Sequence, residues 1–283
     1  MTGFQHSGDK VLVSVGGDAP AEIEADALVG ADGIHSTLRA MLFPDDPGIR
    51  WNGIQMWRGA VDWPIFDGGD AMVIAGDAGA KLVLYPIGPG ATPGTRLTNW
   101  VVYARVADAA SPPPARESWS ELGAFDEIRP LIARFRLPFI DIEALARATP
   151  QIFKYPMCDR DPLPRWSFGR VTLMGDAAHP MYPVGSNGAA QAILDARCLA
   201  DALQSAEHPM RALYEYEQER LPKTAEIVRL NRKGGPERVI DEVEKLAPAG
   251  FEHVERVLSH AEREGIVKGY ARKAGFALNQ VNK

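Results

Sequence analysis

An apolar strand that ends on Gly-Asp and returns through a glycine-rich turn to a helix constrains this chain more than any other feature. Arg170-Val171-Thr172-Leu173-Met174 reads as a buried strand, Gly175-Asp176 ends it, and a helical pattern begins at Gly188. An acidic residue at a strand end can accept hydrogen bonds from sugar hydroxyls. The small residues Gly185, Ser186, Asn187 and Gly188 let backbone N–H groups approach a flat ligand closely. The helix aims its positive end at the same place. In that helix Ile193, Ala196, Leu199, Ala200 and Leu203 recur at helical spacing and are expected to face the core. Asp195, Arg197, Asp201 and Gln204 are expected on the opposite face.

A second strand-turn-helix stands near the start. Val11, Val13 and Val15 alternate as in a strand, Gly16-Gly17-Asp18 makes a turn, and Ala27-Leu28-Val29-Gly30-Ala31 is a short apolar strand. Asp32-Gly33 breaks it, and Ser36 is the expected N-cap of a helix over residues 36–42. Between the two motifs the pattern changes to four strand-like runs, Gln55–Val61, Ala71–Ala75, Lys81–Tyr85 and Asn99–Ala104. Turn residues separate them, as in an antiparallel meander with one face packed and the other lining something.

Ser111-Pro112-Pro113-Pro114 is a stiff linker into a predicted helix over residues 125–135, and a strand is predicted over 151–155. Beyond Met210 the chain reads as helical, with Leu213, Tyr216, Ile227 and Leu230 inward and a kink or split at Pro222. Gly234-Gly235-Pro236 stops that run. Val239, Val243, Leu246, Val254 and Leu258 are expected to face inward in the stretch after it.

The chemistry is bounded by composition. With 31 basic and 37 acidic residues and no Lys/Arg block, neither nucleic acid nor an anionic membrane is indicated as a partner. Cys158 and Cys198 lack metal-site spacing and read as reduced thiols of a cytoplasmic protein, with no metal site expected. No signal peptide or membrane span is read from the sequence.

The run from Gly175 to Gly188 resembles the second FAD-contacting motif of the para-hydroxybenzoate hydroxylase class of flavin-dependent aromatic monooxygenases. Leu28 to Arg39 resembles the Asp-Gly motif of that class. The resemblance covers roughly residues 1–232. It implies an α/β fold: a partial FAD-binding Rossmann-like (GR2-type) domain interleaved with an antiparallel-sheet substrate domain. Residues 1–50 and 156–233 would form the FAD part, 51–155 the substrate part and 234–283 a helical tail.

By the same resemblance Asp32, Gly33 and Arg39 would serve the FAD pyrophosphate and NAD(P)H use, and Asp176 the ribityl chain. Pro183, Gly185, Ser186, Asn187, Gly188 and Ala189 would cradle the isoalloxazine ring. Trp51 to Gly59 and His179 to Gly188 look similar to the branch that hydroxylates phenazine carboxylates. That makes Trp57, Arg58 and Tyr85 candidate substrate contacts, with Arg58 pairing a carboxylate. The competing readings are core aromatics for Trp57 and Tyr85 and a surface or domain contact for Arg58.

The implied reaction is reduction of FAD by NAD(P)H, capture of O2 and hydroxyl transfer to an aromatic ring. The flavin supplies the reagent, so no catalytic protein nucleophile is expected, and His179 is read as a structural partner of loop carbonyls. A GxGxxG phosphate loop, which the class carries near its start, does not occur in these 283 residues. The expectation is therefore a truncated chain with weak or absent FAD binding on its own. Rival readings are an inactive remnant acting as a binding module, and another flavin oxidoreductase or halogenase of the same fold. The halogenase WxWxIP pattern is not matched by Trp57-Arg58-Gly59 or Trp63-Pro64.

Overall fold

The structure is a computed structural model that describes every residue except 18, 109–110, 113–119, 278–279 and 281–283. Asp18 of the expected turn and Pro113 and Pro114 of the expected linker lie outside the described residues. In chain order the strands and helices are β1 (Gly3–Ser7), β2 (Lys10–Val15), β3 (Ala21–Ala25), β4 (Leu28–Gly30), α1 (Thr37–Leu42), β5 (Ile49–Pro64), β6 (Val73–Gly76), β7 (Ala80–Pro89) and β8 (Thr95–Arg105). Then come α2 (Phe125–Ile132), α3 (Ile142–Ala148), β9 (Phe153–Arg160), β10 (Val171–Leu173), α4 (Gly188–Ser205), α5 (Pro209–Asn231), α6 (Arg238–Leu246) and α7 (His260–Ala274). Two compact units result. One is residues 1–50, 158–236 and 264–283, and the other is 51–157 and 237–263.

The first unit holds the antiparallel sheet β1-β2-β3 and a parallel pair, β10-β4, in which Leu173 lies opposite Gly30. Leu38, Val171, Leu173 and Leu213 are fully buried there, and each contributes roughly 1.5–3 kcal/mol over an exposed position. Gly30 is required by packing, because a Cβ on it would stand 2.6 Å from Leu38 Cδ2 and 3.0 Å from Leu173 Cδ2. That lets α1 lie directly on the strand end. The second unit is the five-stranded sheet β6-β7-β8-β5-β9. One face packs Trp57, Val61, Leu82, Leu84, Trp100 and Val102 against Ile128, Ile132, Ile142 and Leu145 of α2 and α3.

Several expectations need correction. Helix α3 has no counterpart in the sequence pattern; its seven residues are too few to show a period, and Asp141 caps it by accepting from Ala144 N. Helix α5 runs unbroken through Pro222. The proline and Gln218, whose carbonyl loses its helical donor, both lie on the exposed side where water can serve instead. The stripe assigned to α4 holds only in part. Leu199 is buried and Arg197, Asp201 and Gln204 are exposed as expected, but Ile193 is 70% exposed and Leu203 43%, and Asp195, expected outward, is buried along with Gln191. Hydrophobic periodicity cannot see that α5 and the turn after β10 offer Asp195 buried donors. In α6 no residue is fully buried and Leu246 is exposed, because this helix attaches through charge: Lys81 Nζ lies 2.6 Å from Asp241 Oδ1, and Glu244 accepts from Ala78 N at 2.6 Å. No helix among the described residues is long and apolar enough to cross a membrane.

Candidate functional site

The parallel strands β4 and β10 each end in an acidic turn, and the two turns use their carboxylates differently. Asp32 accepts from Ser36 Oγ (2.5 Å), Thr37 N (2.7 Å) and Leu38 N (3.3 Å), while Ser36 Oγ accepts from Arg39 N at 2.9 Å. Four of the orphan donors at the start of a helix need partners, and these two side chains supply three. Gly33 sits at φ +78 with open space around it.

Arg39 is fully buried and its guanidinium is committed to the protein. It donates to Asp46 Oδ2 (2.6 Å), to the carbonyls of Ala177 (3.3 Å) and Ala178 (3.1 Å), and to Asp161 O (3.1 Å). The expected contact with cofactor is thus replaced by a strap from α1 to the second turn, with four bonds drawn from the five donors an arginine has.

In the second turn Gly175 adopts φ +59 and its N–H donates to Asp195 Oδ2 at 3.1 Å. Asp176 is exposed and no donor among the described residues bonds its carboxylate. The protein packed behind it lifts its carboxyl above the usual range, and the charge of His179 only partly counters this. His179 is buried with Nε2 donating to Asp195 Oδ2 at 2.5 Å, so its partner is a carboxylate and not loop carbonyls.

The loop before α4 is held from behind. Val184 is buried, Pro183 and Ser186 are exposed, and Gly185 adopts φ +75. A Cβ on Gly185 would lie 2.8 Å from Tyr270 Oη and 3.0 Å from Pro236 Cδ. Tyr270 Oη in turn donates to Asn231 Oδ1 at 2.8 Å, and Asn231 Nδ2 donates to Tyr182 O at 2.9 Å. Ser186 is held in the left-handed region at φ +51, a strained position for a residue with a side chain. The first-turn N–H groups of Gly188, Ala189 and Ala190 have no acceptor among the described residues. They end an 18-residue helix whose dipole makes this point electropositive.

Behind both turns lies a network that sequence reading missed. Asp195, fully buried, receives Gly175 N, His179 Nε2 and Arg220 Nε (2.7 Å). Burial works to raise the Asp195 carboxyl, but the hydrogen bond and charge of His179, then those of Arg220, hold it below the usual carboxylate range. The available signal was weak: an acid and a glutamine four residues apart on one helix, with an arginine on the next.

In the second unit the structure separates the three expected substrate residues. Trp57 belongs to the packed core face and donates Nε1 to Glu127 Oε2 at 3.0 Å, so the core reading holds for it. Arg58, next along β5, points to the opposite face. Its guanidinium donates to Asn99 Oδ1 (2.8 Å) and reaches Tyr155 Oη (3.4 Å). Tyr85 pairs with Asn99 across β7 and β8 and so shares that face. Tyr155 is buried, which raises its phenol, while Arg58 pulls it back and Tyr85 adds to the rise. Asn99 and Tyr155 thus join Arg58 and Tyr85; neither stood out in the sequence, where each reads as one more strand residue.

The sequence profile of the family described as FAD binding domain matches residues 1–231. Phenazine 1,6-dicarboxylic acid hydroxylase PhzS of Lysobacter antibioticus is 43% identical over 235 residues, 81% of this chain and 57% of that protein. The 3-amino-4-hydroxybenzoate 2-monooxygenase PtmB3 of Streptomyces platensis is 37% identical over 221 residues, 76% of this chain and 51% of that protein. The chain therefore spans about half the length of the curated relatives it matches. Among solved structures, Klebsiella pneumoniae HpxO complexed with FAD and uric acid superposes with a TM-score of 0.71 at 22% identity, covering 98% of this chain and 66% of that one. A salicylate hydroxylase substrate complex gives 0.70 at 21%, over 98% and 70%. At that identity these two similarities establish the fold: mixed α/β with antiparallel sheets, as in FAD-binding aromatic hydroxylases.

Proposed function

This chain belongs to the FAD binding domain family, and from that premise we propose that it serves a FAD- and NAD(P)H-dependent monooxygenase that hydroxylates a carboxylated aromatic ring. The observation that carries the reading is the pairing of an open carboxylate, Asp176, with an electropositive helix start at Gly188 to Ala190. A cofactor with a polyol chain and an acceptor-edged ring needs that combination of one acceptor and several donors. The residues present fit it: among the described residues Asp176 has no donor, and the buried Asn187 Nδ2 has no acceptor. Asp176 would bind ribityl hydroxyls, and Pro183 and Gly185 to Ala189 would lie along the ring. Asp32 and Gly33 would face the pyrophosphate side, with Arg39 acting through the turns it straps together. When bound, FAD supplies hydride acceptance from NAD(P)H and transfer of one oxygen atom from O2 to the substrate.

Within this reading residues 1–50 and 156–233 form the cofactor part, 51–155 the substrate part and 234–283 the tail. Arg58 is the carboxylate partner: Asn99 and Tyr155 orient its planar fork, which suits bidentate binding. The names of the two relatives, a phenazine dicarboxylate hydroxylase and an aminohydroxybenzoate monooxygenase, support a carboxylated ring. Burial keeps the Tyr155 phenol protonated at neutral pH, so it serves as a hydrogen-bonding group beside Arg58 and not as a base. We place the protein in the cytoplasm, with a small aromatic substrate and O2 as partners and neither nucleic acid nor membrane; neither Cys158 nor Cys198 is part of a disulfide among the described residues.

Titration of the purified chain with FAD, followed by flavin fluorescence and visible absorption, tests the reading. The expected result is saturable but weak binding, because no GxGxxG phosphate loop occurs in these 283 residues, with aromatic-acid-stimulated NAD(P)H oxidation. Absence of any saturable change would remove the flavin assignment from this chain and leave the binding-module alternative.

A further inference from the structure

Asn187 ends a run of buried hydrogen bonds whose direction is fixed at every step. Asp195 is a carboxylate that only accepts, and an arginine only donates. Arg220 Nε donates to Asp195 Oδ1 at 2.7 Å, and Arg220 Nη2 donates to Gln191 Oε1 at 2.6 Å. The oxygen end of the Gln191 amide is therefore turned to Arg220. Its nitrogen end donates to the carbonyl of Ala274 at 2.9 Å, which can only accept, and to Asn187 Oδ1 at 3.2 Å. Amide orientation is normally ambiguous. Here a donor-only group at one end and a carbonyl at the other leave one solution, and Asn187 must turn its oxygen to Gln191.

The consequence is a free end of defined polarity. Asn187 Nδ2 is a donor; it is buried and has no acceptor among the described residues. A buried donor without an acceptor is destabilising, and an acceptor brought by a ligand removes that cost. The adjoining N–H groups of Gly188, Ala189 and Ala190 are donors too, so the start of α4 carries donors alone.

We infer that Arg220, acting through Gln191, sets Asn187 as a donor to the acceptor edge of the flavin ring. This rests on the flavin reading above. Arg220 and Gln191 are then positioning residues, and the loop selects ring carbonyl or deprotonated nitrogen over an N–H edge.

The test is a polarity inversion on the full chain. In Gln191→Glu, at about pH 8 where a carboxylate is ionised, the introduced side chain still accepts from Arg220 but no longer donates. Asn187 must then flip, donate Nδ2 to the new carboxylate and present oxygen at its free end. Side-chain amide spectra of 15N-labelled protein, with the Asn187 pair identified by its loss in Asn187→Asp, should show that pair shifted in Gln191→Glu. FAD affinity should fall roughly ten- to hundredfold. Gln191→Met, a poorer match in shape, should lose less affinity, an order that a merely structural role reverses. An unmoved Asn187 resonance, or a greater loss in Gln191→Met, would overturn the relay. If the unaltered chain binds no FAD, the flavin reading fails, and the resonance shift decides the relay by itself.

Discussion

Two turns close the same pair of parallel strands, and they differ in what holds them. At the end of β4 the turn is held by its own acid: Asp32 is spent on Ser36 Oγ and the amides of Thr37 and Leu38. At the end of β10 the turn is held by a remote acid, Asp195, which takes Gly175 N and His179 from behind. Asp176 is thereby released from structural duty and left open. A carboxylate can serve a ligand only where another group has taken over the backbone donors. The comparison places the scaffold of the second turn in α4 and α5, and the scaffold of the first in the turn itself.

Removing the remote acid gives the sharpest break. Asp195→Ala leaves Arg220 buried without its carboxylate, and loss of one member of a buried pair costs about 3–5 kcal/mol. Urea unfolding should register that loss. Because the Asp195 carboxyl is depressed in the folded protein, its contribution is present above the unfolded value of about 3.9 and lost as pH falls through the lower folded one. The deficit should therefore be full at neutral pH and shrink only in acid. A cost under about 1 kcal/mol, typical of surface sites, would mean that the second turn holds itself as the first does.

The glycines sharpen the same contrast. Gly33 and Gly185 have nearly equal φ, +78 and +75, so the backbone cost of an alanine is similar at both, about 1–2 kcal/mol. Only Gly185 meets protein: its Cβ would press on Tyr270 and Pro236, whereas nothing lies within 4 Å at Gly33. Gly185→Ala should thus cost about 1–3 kcal/mol more than Gly33→Ala, the range for overpacking, by thermal or urea unfolding. Equal costs would show that the loop before α4 can yield, and that its backing by α7 is not rigid.

The parts of the molecule that could be read in advance are those set by local pattern. The strands β2, β4 and β10, the meander and the Ser36 cap follow from alternation, glycine punctuation and side-chain oxygens at a helix start. What escaped reading depends on partners distant in sequence. Asp195 sits on a helix beside apolar residues, and hydropathy alone sends it outward. Its place inside is fixed by Arg220, 25 residues away, and by Gly175, 20 residues away. Trp57 and Arg58 are neighbours in sequence, yet strand alternation puts them on opposite faces, and only the register with Asn99 and Tyr85 shows which face each takes. Arg39 likewise reads as a ligand contact until its four protein acceptors are in view.

The smallest effects separate the two acids themselves. Asp32→Ala removes an acceptor from the first turn of α1 and should cost about 1 kcal/mol, the usual value of a cap. Asp176→Asn removes no hydrogen bond from the described residues and should change stability by less than about 0.5 kcal/mol. Its sign is set by titration. A carboxyl whose folded pKa is raised favours folding only while protonated, and that contribution is lost as pH rises through the folded value. The asparagine variant carries no such dependence, so relative to the unaltered protein it should gain slightly from acid to neutral pH. Unfolding curves at several pH values check this. A loss in Asp176→Asn equal to that of Asp32→Ala would mean that both carboxylates serve the fold and that neither is free for a ligand.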